Sequence, residues 1–67
     1  MKIFGERLKL LRTDAGLSIL KLSKKIGVSD AAICRWENDK ANASCEDVAN
    51  LAKFFGVSSD YLLGLED

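Results

Sequence analysis

Apolar and polar positions repeat along this chain with a helical period almost from end to end. Phe4, Leu8, Leu11 and Ala15 recur at spacings of four, three and four, the stripe of a helix with one buried face. They predict a first helix from about Ile3 to Asp14, ended at Gly16. In the next stretch Leu17, Leu22, Ile26, Val28, Ile33 and Trp36 point one way, while Lys21, Lys24, Asp30, Ala31, Cys34 and Arg35 point the other. This is the pattern of two short helices, one from Ser18 to Gly27 and one from Ser29 to near Asn38. Gly27 supplies the positive φ that stops the first of them without steric cost. Asp39 to Ala43 reads as a loop. A fourth helix starts at Ser44, with Asp47 as a capping-box partner, and buries Val48, Leu51, Ala52 and Phe55 before Gly56. A short fifth runs from Ser58 to Leu63 and is closed by Gly64.

The helix starts share one signature. Leu17-Ser18…Leu22, Val28-Ser29…Ile33, Ala43-Ser44…Val48 and Val57-Ser58…Leu62 each place an apolar residue before a serine and another five positions on. The serine hydroxyl accepts from a backbone N–H that the first turn leaves orphaned, and the apolar pair staples the entry angle. The expected fold is therefore all-α: a compact five-helix bundle forming one domain over residues 1–67. Two short helices joined through a glycine turn, residues 18–38, have the form of a helix-turn-helix.

Composition narrows the function. The chain has 67 residues and no proline, and 48% of its residues are hydrophobic, which favours a folded helical domain over disorder. So small a domain has marginal stability, which a partner would raise. Without histidine, the two cysteines, Cys34 and Cys45, offer neither a usual zinc set nor a Cys/His nucleophile pair, and no glycine-rich loop cradles phosphate. No enzyme constellation, cofactor or metal is assigned. With no apolar run long enough for a membrane span and no signal peptide, a reducing cytoplasm is the expected setting.

Net charge is zero, but the two ends differ. Residues 1–40 hold nine basic and five acidic groups, and residues 41–67 hold one basic and five acidic, a surplus of four of opposite sign in each part. The positive part contains the helix-turn-helix, and such a dipole orients a domain on a polyanion. The competing reading is that both parts are ordinary solvated faces.

Four segments, FGERLKLLR, GLS…LSKKIGVS, AAICRWEN and LAKFFGVSSDYLLG, resemble in order and spacing the lambdoid phage repressor and Cro helix-turn-helix family, also described as xenobiotic-response-element-like regulators. The resemblance covers nearly the whole chain. It implies five helices, a recognition helix whose first turns enter the DNA major groove, and dimers acting on paired half-sites. It also implies an ion pair between Arg12 and Glu37, either a purely structural tie or one that also turns the arginine toward phosphate. The chain departs from the family pattern at Ile19, where many members have Gln, at Asp39, where Gly is common, and at Ala43, where Pro is. Asp30, Ala31 and Cys34 stand where polar readers are frequent. These departures bear on base-specific binding and leave the fold expectation untouched.

On the third helix, positions 30, 31, 34, 35 and 38 lie along one side. Asp30, Ala31, Cys34 and Arg35 are the candidate base readers. The planar fork of Arg35 matches O6 and N7 of guanine, and Ala31, with Ala32 beside it, is small enough for close approach to a thymine methyl. Asp30 favours the helix N-terminus, repels phosphate and accepts from cytosine N4, so it filters sequences more than it adds affinity. A surface salt bridge is the alternative for Arg35, as a redox role is for Cys34, which has no resolving cysteine nearby. Phosphate contacts are expected from the backbone N–H groups of Ser18 and Ile19 at a helix N-terminus, and from Asn38, Lys40 and a partly engaged Arg12. Trp36 is expected in the core, at the junction of the third helix with the first and fourth.

Leu10, Leu20, Phe54, Leu63 and Leu65 fall off the buried stripes. Phe54, Leu63 and Leu65 form the expected interface of a homodimer built through the last two helices. The leading expectation is a sequence-specific DNA-binding transcriptional regulator, a phage or bacterial repressor that binds double-stranded DNA at a palindromic operator. The alternative is a protein-interaction module of antirepressor or antitoxin type that uses the same fold.

Overall fold

Ser18, Ser29, Ser44 and Ser58 all act as expected in the computed structural model, which describes residues 1–67. Each has extended backbone, and its hydroxyl accepts the N–H three residues on: Lys21, Ala32, Asp47 and Tyr61 respectively. The helices they start are α2 (Ile19–Ile26), α3 (Asp30–Glu37), α4 (Cys45–Phe55) and α5 (Ser59–Leu63), following α1 (Lys2–Asp14). Ser44 departs slightly from a capping box. Its hydroxyl donates to the Asp47 carboxylate at 2.9 Å, so the acid braces the cap and does not reach back to the chain. Helices α2, α4 and α5 end at Gly27, Gly56 and Gly64, all at positive φ.

One core gathers Phe4 and Leu8 from α1, Leu22 from α2, Ile33 and Trp36 from α3, Val48, Leu51 and Ala52 from α4, and Leu62 from α5. Burying each large side chain contributes about 1.5–3 kcal/mol, and half-buried Leu17, Ile26, Val28 and Phe55 pack around them. Ala15 is a correction: the expected stripe ran through it, but α1 ends at Asp14 and Ala15 is the exposed C-cap. None of the five helices is long and apolar enough to cross a membrane.

The packing order is set by a residue that the periodicity does not single out. Gly5 is buried on the inner face of α1, and a Cβ there would lie 2.3 Å from the Trp36 carbonyl oxygen and 3.2 Å from that of Glu37. Its bare backbone lets α1 approach the last turn of α3 closely. Trp36 then meets Phe4 edge-on, with ring centroids 6.2 Å apart. Accordingly α3 rests mainly on α1 and α2, whereas α4 rests on α2 and α5. Trp36 lies in the core as expected, meeting Phe4 of α1 and sharing one cluster with Val48, Leu51 and Ala52 of α4.

A second tie also joins distant parts of the chain. The Arg7 guanidinium lies 4.3 Å from the centre of the Tyr61 ring and donates to the carbonyls of Tyr61 and Glu66. The Glu66 carboxylate accepts from Ser58, so the segment after α5 is tied to α1 through Arg7 and to the start of α5 through Ser58.

Candidate nucleic-acid interface

The turn between α2 and α3 spans Gly27 to Ser29. At φ +74° Gly27 donates its N–H to the Ser23 carbonyl at 2.9 Å, and the Val28 N–H reaches the same oxygen at 3.2 Å. That double closure ends α2, and Val28 packs inward while Ser29 starts α3 in a new direction. The inner side of α3 is then committed: Ile33 is fully buried and Trp36 is 5% exposed. With 3.6 residues to the turn, this places Asp30, Ala31, Cys34 and Arg35 outward, and all four are exposed. Ala32 does not join them; it is half-buried against the core.

The exposed side of α3 carries one free cation and one restrained anion. Arg35 takes part in neither ion pair of the chain, so the salt-bridge alternative has no support here. One Asp30 oxygen accepts the Ala31 N–H at 2.9 Å, at the positive end of the helix. Behind Arg35 the chain turns sharply. The Lys40 N–H donates to the Arg35 carbonyl at 2.8 Å, and Asp39 takes φ +57°, a left-handed conformation that glycine adopts more readily. The Lys40 side chain is left exposed just past the end of α3.

Two of the expected phosphate contacts are otherwise engaged. Asn38 is the C-cap of α3, and its amide nitrogen folds back to the Cys34 carbonyl at 2.8 Å. Arg12 forms a bidentate pair with Glu37, Nε to Oε2 at 2.7 Å and Nη2 to Oε1 at 3.0 Å. Its Nη1 donates to the Leu17 carbonyl at 2.8 Å. The two side chains are 11% and 4% exposed, so the pair is a nearly buried structural tie. Hydrogen bonding to Glu37 raises the Arg12 pKa, assisted by the charge of Glu37 and opposed by burial; the guanidinium stays charged. This tie joins α1, the end of α3 and the residue ahead of the α2 cap into one unit. At that cap the Ser18 hydroxyl is engaged by Lys21, and the Ile19 side chain packs on the core. What both offer outward is backbone N–H at a helix N-terminus.

The expected dimer residues do not form one patch. Leu63 borders a groove of about 410 Å³ lined also by Met1, Ala43, Cys45, Val48 and Ser59. It also borders a second hollow with Met1, Ile3 and Phe4. Leu65, 73% exposed, follows Gly64, which sits against Ile3. Phe54 is nine positions beyond Cys45 on α4, and at about 100° per residue it faces the opposite flank. It lies apart from the apolar face that Leu63 shares with the start of α1.

Comparison with known proteins agrees with this geometry. Residues 8–62 match the helix-turn-helix family model. The chain is 38% identical over 64 residues to the HTH-type transcriptional activator BcrR of Enterococcus faecalis, which aligns 96% of this chain and 31% of that protein. It is 34% identical over 62 residues to repressor protein C2 of Salmonella phage P22, with 92% of this chain and 29% of that protein aligned. The chain thus spans about a third of the length of these two relatives. A crystal structure of the P22 c2 repressor with a synthetic operator superposes with a TM-score of 0.84 at 32% identity, covering 92% of this chain and 94% of that one. Five helices in the same arrangement, a glycine turn between α2 and α3 and an α3 with one side exposed accompany these likenesses, and the chain belongs to the Cro/C1-type helix-turn-helix family.

Proposed function

We propose that this chain is the DNA-binding part of a transcriptional regulator and acts as a repressor by laying the exposed side of α3 in the major groove of a palindromic operator. One observation carries the reading. Arg35 stands unpaired among Asp30, Ala31 and Cys34 on a helix whose other side is buried through Ile33 and Trp36. A side so rigidly backed presents its readers in a fixed orientation. The superposable P22 repressor, solved with an operator, supports the same orientation. In this reading Arg35 takes O6 and N7 of a guanine, Ala31 meets a thymine methyl, and Asp30 selects for cytosine and against its alternatives. Cys34 lies between them as a small side chain at the groove. The backbone N–H groups of Ser18 and Ile19, together with the Lys40 ammonium, hold phosphates and set the register. No catalytic step is involved.

The reading includes a symmetric homodimer that sets two α3 helices roughly 34–36 Å apart, one turn of DNA. The apolar face at Leu63, with Met1, Ile3 and the Cys45–Val48 groove, is the surface we assign to it. Selection of bound duplexes from a random pool at two salt concentrations tests the proposal. Enrichment of a two-fold symmetric motif, with a guanine whose selection is lost in Arg35→Ala, is expected. No enrichment at either salt concentration refutes it.

A further inference from the structure

Away from the probe side of α3, one depression combines positive charge with apolar surface. It lies on the flank where α2 meets α4, has a volume of about 380 Å³ and is lined by Lys25, Ile26, Asn50, Lys53 and Phe54. Phe54 is 41% exposed yet held from below, its ring edge-on to Phe55 with centroids 4.9 Å apart and an interplanar angle of 83°. Phe55 in turn packs against the core, so the exposed aromatic stands on a fixed support. Neither lysine takes part in the chain's ion pairs. Lys53 is moreover the only basic residue between positions 41 and 67, and it stands across this groove from Lys25.

Duplex DNA makes poor use of such a place. Its backbone offers phosphates for the lysines but nothing apolar for Ile26 and Phe54, and α3 contributes no residue to the walls. A peptide segment with an apolar side chain between carboxylates matches both features at once. We propose that this groove docks an acidic segment of a partner protein, one bulky apolar side chain lying between Ile26 and Phe54 and carboxylates on either side reaching Lys25 and Lys53. A groove at the small end of the range for ligand sites suits a short segment, bound weakly and with marked salt dependence. Because the readers Asp30, Ala31, Cys34 and Arg35 take no part, the partner joins the DNA-bound chain without competing for its probe helix.

The test uses the full chain and no duplex DNA, so its outcome is independent of the operator reading. Random 12-residue peptides displayed on phage are selected against the chain. The enriched sequences are then synthesised, labelled and titrated by fluorescence anisotropy against the parent, Phe54→Ser and the Lys25→Glu/Lys53→Glu pair. Circular dichroism of each variant confirms that it is folded. The proposal expects Asp or Glu on both sides of a Leu, Phe or Trp. It also expects binding that weakens about tenfold or more in each variant, on the scale of one lost buried apolar side chain. Four results would overturn it: no enrichment, enrichment of sequences without acidic residues, acidic peptides that bind both variants as well as the parent, or Phe54-dependent binding of a thymidine 12-mer where peptides fail.

Discussion

Gly5→Ala is the sharpest test of how α3 is held. On an isolated helix this change stabilises by about 1 kcal/mol, because glycine loses more backbone freedom than alanine. Here the added methyl would sit 2.3 Å from the Trp36 carbonyl oxygen, and Cβ contacts are essentially never shorter than 3.0 Å. The end of α3 must therefore retreat from α1 by roughly 0.7 Å or more. The obstacle is backbone, not the mobile tip of a side chain, so the cost belongs at the upper end of overpacking, about 3 kcal/mol. Glu37 moves with the carbonyls and stretches its 2.7 Å bond to Arg12, adding about 1 kcal/mol. Less the propensity gain, the net loss is about 3 kcal/mol. At roughly 4–8 °C per kcal/mol for a domain of this size, the melting temperature falls by about 12–24 °C. Urea unfolding followed by the fluorescence of Trp36 and by circular dichroism measures it directly. Gly16→Ala is the control: no atom lies within 4 Å of its added Cβ, and only the φ of +72° opposes it, at about 1 kcal/mol. A Gly5→Ala chain as stable as the parent would refute the close approach of α1 to α3.

Glu37→Ala leaves the Arg12 guanidinium nearly buried and unpaired and is expected to destabilise by about 3–5 kcal/mol, whereas Arg12→Met/Glu37→Leu recovers most of that loss in the same urea assay. Asp39→Gly relieves a left-handed backbone at φ +57° and gives up only an exposed contact to the Met1 ammonium at 3.4 Å. Its urea midpoint rises by the equivalent of about 0.5–1 kcal/mol, and an unchanged or lower midpoint would contradict this. On a selected duplex, Arg35→Ala weakens binding by about 10- to 100-fold at one position of the motif with no change in melting. Lys40→Ala weakens all sequences alike and reduces the salt slope by about one.

Local chemistry made most of the fold legible. A serine after an apolar residue states where a helix begins, and a glycine at positive φ states where it stops, so α2 to α5 lie within a residue or two of their expected bounds. The outward set Asp30, Ala31, Cys34 and Arg35 followed from period alone once Ile33 and Trp36 were assigned inward. What escaped depends on which helices meet. Gly5 looks like an unremarkable break in the first helix until the α3 carbonyls are seen above it, and Arg7 finds Tyr61 only through a contact 54 residues away. Asn38 and Arg12 carry the donors expected of phosphate ligands, and their bonds to a carbonyl and a carboxylate of the chain itself appear only once the helices are placed. Phe54, Leu63 and Leu65 are all apolar and late in the chain, but the turn of α4 sets Phe54 on a different flank from Leu63.

The central claim is that the outward side of α3 is what meets DNA. Titrating the 15N-labelled chain with a selected duplex, and following every amide resonance, tests it residue by residue. The account predicts the largest shifts at Asp30, Ala31, Cys34 and Arg35, with Ser18, Ile19 and Lys40 next and Lys53 and Phe54 unmoved. Shifts centred on α4 and α5, with α3 silent, would contradict it.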